Sequence, residues 1–267
     1  MKISLYNDSL YPGYVHLKQY MGEDVKTQVN AARASFGVEI SEVTDRDKKL
    51  LKTCAREGHT SVMEHNVFTF AFKVPLFVAR QHMRHRTWSF NEISRRYTDK
   101  NLDFYTPNTF RKQSASNRQS SIVGSDFNPT LKFVDGTHLD YDSSASEIVT
   151  EHVTESLVLY NKMIESGICR EQARMVLPQN IYTYYWGTCN LNNFFKFYEL
   201  RNHPGAQFEI QEVAIACMDI LKEIIPETIA IYNEAKTERD LKLVKKIIKN
   251  LNPDQLDLLK IHPYPEN

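Results

Sequence analysis

The run Val67-Phe-Thr-Phe-Ala-Phe-Lys-Val-Pro75 constrains the fold more than any other stretch of the chain. Phe68, Phe70, Phe72 and Val74 alternate with Val67, Thr69, Ala71 and Lys73, so an extended backbone puts three phenylalanines on one face. Pro75 suits the first turn of a helix, and Leu76, Val78 or Ala79, and Met83 give that helix an apolar side through about Arg84. The segment from Gln81 to Tyr97 is therefore delivered at a helix C-terminus, where the backbone dipole favours cations.

That segment is basic and aromatic together. Arg80, Arg84, Arg86, Arg95 and Arg96 face a single acid, Glu92, although the whole chain balances 33 basic against 33 acidic residues. A solvated turn has no use for Trp88, Phe90, Ile93 and Tyr97 so close together. Arginines, hydroxyls, an amide and a carboxylate suit a bound anion that carries a polar ring. The neutral overall balance gives no general case for nucleic-acid binding and leaves only this local patch.

Bulk properties add limits. A chain of 267 residues, 42% hydrophobic and 25% charged, matches an ordinary soluble globular protein with one core, or one domain and an appendage. The apolar run Val67–Ala79 is too short to span a membrane and is interrupted by Lys73 and Pro75. Met1–Tyr6 has no apolar signal core. Cys54, Cys169, Cys189 and Cys217 form no CxxC pair, which predicts free thiols in a reducing, cytoplasmic setting.

Taken in order, residues 2–6 predict an edge strand and 24–36 a helix. A second helix follows from an N-cap at Thr44 to Glu57, with Gly58 as its C-cap. Further strands are expected at Tyr97 or 102–105 and at 181–189. Residues 108–143, rich in Ser, Asn, Asp, Gly and Lys, read as a long surface insertion. Helices are predicted at 144–166, over one or two turns from Arg170 to Leu177, and at 191–200, 206–225 and 226–235. Past 237 a charged extension carries one more helix on Leu241, Leu243, Val244, Ile247 and Ile248. Residues 1–237 make one catalytic domain on this reading, and 238–267 an appended helical tail.

Three chemistries compete on residue type alone. His59, His65, His82 and His85 beside Glu64 raise a metal-dependent nucleotide phosphohydrolase, but no HExxH spacing is present and the arginines repel a divalent ion. A single-strand nucleic-acid binder would use the arginines with Trp88, Phe90 and Tyr97 as stacking platforms. Cys169 and Cys189 are the thiols with polar neighbours, and both read as packing residues. With no GxGxxG and no Walker sequence, any phosphate falls to arginines and hydroxyls such as Ser94-Arg95-Arg96. Arg174 and Arg201, each in an apolar segment, are either buried ion pairs or anion ligands.

The arrangement Arg84-His85-Arg86, seven residues, Ser94 resembles the signature of the flavin-dependent thymidylate synthases, the ThyX family. The blocks Glu57–His65, Phe77–Gln81, Arg170–Pro178 and Arg201 with Ala206–Ile210 are similar to that family's other blocks, in its order. The resemblance covers about 20–106 and 145–230. It implies an α/β (α+β) ThyX-like fold, an antiparallel sheet flanked by helices, assembled as a homotetramer with shared active sites. It also implies dTMP synthesis from dUMP, with methylenetetrahydrofolate as one-carbon donor, NADPH as reductant and FAD as cofactor, and with no membrane or nucleic-acid partner. By this resemblance dUMP is held by Gln81, His82, Met83, Arg84, Glu92, Ile93, Ser94, Arg95, Arg96, Arg174 and Arg201. FAD is held by His59, Ser61, Arg84, His85, Arg86, Glu92, Asn190, Leu191, Asn192 and Lys196. Arg201 is the implied catalytic residue, assisting ionisation at uracil N3, and no cysteine nucleophile is needed. The resemblance departs at Arg95, where a smaller residue is common, and at Lys196, where an amide is expected.

Overall fold

Phe68, Phe70 and Phe72 are fully buried in the computed structural model, and so are Ala71 and Val74. Both faces of this strand are covered, which places it inside a sheet and explains its apolar run. The structure describes residues 1–122, 124–131 and 143–251. Residues 123 and 132–142 of the predicted insertion, and the predicted tail beyond 251, lie outside them.

In chain order the elements are β1 (Lys2–Leu5), β2 (Gly13–Met21), α1 (Lys26–Arg33), α2 (Asp45–Glu57), β3 (Val67–Pro75), α3 (Leu76–His82) and β4 (Ser89–Glu92). Then come β5 (Thr130–Leu131), β6 (Ser143–Ser144), α4 (Ala145–Glu165), α5 (Arg170–Ala173), β7 (Tyr182–Asn190), α6 (Leu191–Arg201), α7 (Phe208–Ile224) and α8 (Pro226–Asn250). They form two units. One contains Met1–Met21 and Asn66–Leu221; the other contains Gly22–His65 and the chain from Lys222 onward.

The first unit is built on a five-stranded sheet of order β1-β2-β3-β7-β4. All of its pairings are antiparallel, as expected. β7 pairs with β3 along its whole length, from Val67 opposite Asn190 to Pro75 opposite Tyr182. Two of these strands are absent from the sequence reading. β2 carries a bulge between Leu17 and Gln19, and its outer end, Lys18 to Met21, is exposed, so the period-2 signal fades midway. β4 is a four-residue edge strand of mixed polarity. Conversely, 102–105 makes only an isolated bridge, Phe104 opposite Ile181. Phe104, Ile181 and Val153 form a small core there, with Leu76, Leu102 and Leu177 packed on it.

The described part of the insertion between Phe110 and Phe127 is folded back on itself. Phe110 bridges Phe127 and Gln113 bridges Ser121. The Gln113 side-chain amide donates to the Asn117 and Ser120 carbonyls at 3.1 and 3.0 Å. α4 opens with a capping box of Ser144 and Glu147: the Ser144 N–H donates to the Glu147 carboxylate at 2.9 Å, and the Ser144 hydroxyl accepts from the Glu147 N–H.

In the second unit α2 begins and ends where expected. Thr44 and Asp47 form a capping box, and Gly58 stops the helix in the left-handed region at φ 79°. α8 is one helix where two are predicted, since nothing between Ala235 and Leu241 breaks it. Lys52 pairs with Glu234 and Glu238, and Arg56 with Glu238, which joins α2 to α8. No helix among the described residues is long and apolar enough to cross a membrane.

Candidate active site

α3 ends at His82, so the arginine-rich segment leaves the end of a helix, as expected. His82 itself turns inward. Its ring is fully buried, stacked on Phe197 with centroids 4.5 Å apart and met edge-on by Trp88, Phe90, Phe72 and Tyr185. Nδ1 lies 2.9 Å from the Tyr185 hydroxyl, and Nε2 has no partner among the described residues. Burial, then the nearby His85 and Arg201, push its pKa well below the usual value, so the imidazole is neutral. An imidazole in that position braces the segment, and any contact it makes with a ligand runs through its backbone.

His85, three residues on, does reach a charged partner. Arg201, the last residue of α6, donates from Nε to His85 Nε2 at 3.0 Å, and its terminal nitrogen donates to the Gln81 carbonyl at 3.0 Å. An imidazole nitrogen that accepts carries no proton, so His85 is neutral with its proton on Nδ1. Burial and then Arg201 hold its pKa down at about 4. Burial, followed by Arg84, lowers the Arg201 pKa as well, but a guanidinium so far above neutrality stays charged. The Gln81 side chain is bonded to Gln207, a residue no site expectation included, although it lies in the Ala206–Ile210 block.

The Arg84 and Arg86 side chains are exposed and form no hydrogen bond or ion pair with the described residues. The Arg174 side chain, on the short turn after α5, is in the same condition. Unpaired guanidinium groups of this kind match the oxygens of a phosphate or diphosphate. Arg95 differs, since its guanidinium donates to the carbonyls of Lys100, Asn101 and Tyr182 at 2.7, 3.1 and 3.3 Å. Its side chain is occupied with the loop. Arg96 is 3.5 Å from Glu171 in an exposed pair, and its backbone N–H donates to the Ser94 hydroxyl at 3.3 Å. Ile93 is pinned by its N–H to the Tyr184 carbonyl at 2.8 Å, and Glu92 accepts from the Thr183 hydroxyl at 2.6 Å. Met83 is the C-cap of α3. A pocket of about 510 Å³ opens beside this loop, lined in part by Ile93, Arg95, Lys73, Asp103, Thr183 and Tyr184.

At the start of α6, the Asn190 side chain accepts from the Asn193 N–H at 2.9 Å, an N-cap. Leu191 and Asn192 are buried and Lys196 is exposed. His59 and Ser61 belong to the second unit, at the short turn Thr60–Glu64 that follows α2. Among the described residues no three His, Cys, Asp or Glu side chains are placed to share a metal ion. Cys54, Cys189 and Cys217 are buried, and burial pushes all three thiols up. Cys169 is exposed instead of packed, because it is the N-cap of α5 at the surface.

The chemistry gathered at the end of α3 is a neutral imidazole, a half-buried guanidinium and the two exposed guanidinium groups of Arg84 and Arg86. The family described as "Thymidylate synthase complementing protein" matches residues 16–227, a span that runs through the 108–143 segment. A flavin-dependent thymidylate synthase of Thermus thermophilus is 40% identical over 222 residues, which is 83% of this chain and 76% of that protein. One from Thermosipho africanus is 36% identical over 229 residues, 86% of this chain and 94% of that protein. Among solved structures, the UMP/dUMP methylase PolB of Streptomyces cacaoi, bound with 5-Br dUMP, superposes with a TM-score of 0.68 at 30% identity. That likeness covers 85% of this chain and 95% of PolB. The chain belongs to the flavin-dependent thymidylate synthases, a family of methyl-transferring enzymes.

Proposed function

We propose that the protein makes dTMP from dUMP, taking the one-carbon unit from methylenetetrahydrofolate and reducing equivalents from NADPH through FAD. The observation that carries this reading is the coupling of Arg201 to His85 inside the Arg84–Ser94 segment, with unpaired arginines on either side. Arg84 and Arg86 suit the diphosphate of FAD, and Glu92, Asn190, Lys196, His59 and Ser61 complete its set. Arg174 and the Ser94–Arg96 turn suit the nucleotide monophosphate. Since the Arg95 side chain is engaged with carbonyls, that residue serves through its backbone N–H.

Arg201 is the catalytic group in this proposal. A guanidinium beside uracil stabilises the N3 anion as it forms and makes C5 a better nucleophile, and partial burial strengthens the effect. Neutral His85 assists by accepting from Arg201 without adding a competing positive charge. FAD, when bound, supplies the hydride, which leaves the chain the work of orienting the nucleotide and placing charge. We infer that the protein is a homotetramer whose subunits share active sites.

Purified protein is expected to be yellow and to release tritium from dUMP labelled at C5 when NADPH and the folate are supplied. Colourless protein that does not reconstitute with FAD overturns the reading.

A further inference from the structure

We propose that Arg111, from the insertion, is a positioning residue that clamps Glu209 and thereby fixes the geometry of Arg201. This inference rests on the assignment of Arg201 as the charge that activates the base.

The connection is continuous. The Arg111 guanidinium pairs with Glu209 Oε1, and its Nε donates to the Ser121 hydroxyl at 3.0 Å. It also lies over the Phe208 ring, 4.5 Å from the centroid. The other Glu209 oxygen accepts from the Gln207 amide at 2.8 Å, and the Gln207 carbonyl oxygen accepts from the Gln81 amide. The backbone carbonyl of that same Gln81 receives the Arg201 terminal nitrogen, while Arg201 Nε holds His85. Each link uses the donor or acceptor that its neighbour leaves free. The Glu209 charge orients the Gln207 amide, and the Gln207 carbonyl oxygen then orients Gln81.

Glu209 is 5% exposed. A carboxylate that deep needs a cation, and Arg111 is its ion-pair partner among the described residues. Without Arg111, Glu209 Oε1 keeps only the long bond from the Tyr105 hydroxyl at 3.5 Å, and the carboxylate no longer anchors the Gln207 amide in one geometry. The insertion also approaches the turn that follows α6. The Asn117 side chain sits 3.8 Å from the place a Cβ on Gly205 would occupy, in the turn just after α6. A segment that reads as a surface loop thus bears on both the turn and the carboxylate that follow the catalytic arginine.

The test compares Arg111→Met, Arg111→Lys and Gln207→Leu with the wild-type enzyme. Arg111→Met is expected to lower kcat about ten- to hundredfold, as a misplaced catalytic group does, with KM for dUMP changed far less. Arg111→Lys, which keeps the charge but loses the fork, should recover part of that loss. Gln207→Leu should reproduce the defect, and the double variant should be no worse than either single one. A second reading needs no turnover: the His85 ring titration followed by NMR in flavin-free protein. The groups facing that ring are Arg201 and, behind it, Arg84 and His82. In Arg111→Met the midpoint should rise from about 4 toward the ordinary 6.5 as Arg201 loosens.

A folded Arg111→Met enzyme with wild-type kcat and an unmoved His85 titration overturns the clamp and leaves the functional reading standing. Wild-type protein inactive on dUMP overturns the functional reading instead. In that case the His85 titration alone decides the clamp: a midpoint that moves supports it, and one that does not overturns it.

Discussion

Arg201 Nε donates to His85 Nε2 at 3.0 Å across 116 residues of chain. This bond fixes the state of His85, since the arginine is charged at every working pH and its acceptor must then be a neutral imidazole. The helix end that carries Gln81 and the helix end that carries Arg201 are thereby held as one site, with the unpaired arginines around it.

Arg201→Ala should lower turnover of dUMP at least about hundredfold, the cost of losing a preorganised charge in a partly buried site. Flavin absorbance should survive, because Arg84 and Arg86 are untouched. Steady-state kinetics beside a visible spectrum separate the two effects, and unchanged turnover would remove Arg201 from the mechanism.

Replacing Cys54, Cys169, Cys189 and Cys217 together by Ala or Ser should leave measurable synthesis in protein that still folds. Burial pushes three of the thiols up, away from reactive thiolates, and the fourth, exposed at the surface, has the Gln172 side-chain oxygen at 3.8 Å as its partner instead of a base. Complete inactivity of such a folded variant would point to a cysteine nucleophile.

Glu212 makes stability depend on pH. Burial first, then Asp8 and Glu209, push its carboxyl up to about 7, against the Tyr6 N–H and Arg111, which pull it down. The native state therefore holds this proton more tightly than the unfolded chain does, and the associated stability is lost as pH rises from the ordinary 4.5 through about 7. Glu212→Gln should be more stable than wild type at pH 8 and lose that slope. Melting temperatures at pH 5 and pH 8 check it, and a variant no more stable at pH 8 contradicts it.

Gly13→Ala should destabilise the protein by about 2 kcal/mol, as overpacking does. A Cβ there would stand 2.5 Å from the Lys73 carbonyl oxygen and 2.9 Å from the buried Tyr6 ring, and neither is a flexible end that can move aside. Denaturant unfolding measures the loss, and wild-type stability would show that β2 and β3 have slack at this point.

Much of the architecture was legible because its causes are local. The Phe68, Phe70, Phe72 alternation, the Thr44 cap and Gly58 at a helix end act over a few residues, and each appears where the chain predicts it. β2 was hidden by its bulge, and β4 by its four-residue length. The division at 237 came from a change in composition that the backbone of α8 does not follow.

The sequence by itself determined that a strand and a helix would deliver five arginines, with aromatic rings, at one helix end, and its motif marked the family. It did not determine which side chains would meet. His82 and His85 share a helix end, yet one ring is sealed among Phe197, Trp88 and Tyr185 while the other faces Arg201. Arg95 and Arg84 look equivalent in a basic run, but only Arg95 is spent on loop carbonyls. Arg111 reads as an insertion residue and is the cation of a buried carboxylate 98 residues away. These choices belong to the tertiary structure, because hydrogen bonds and ion pairs across such separations depend on the register of β3 with β7 and on where α6 and α7 end and begin.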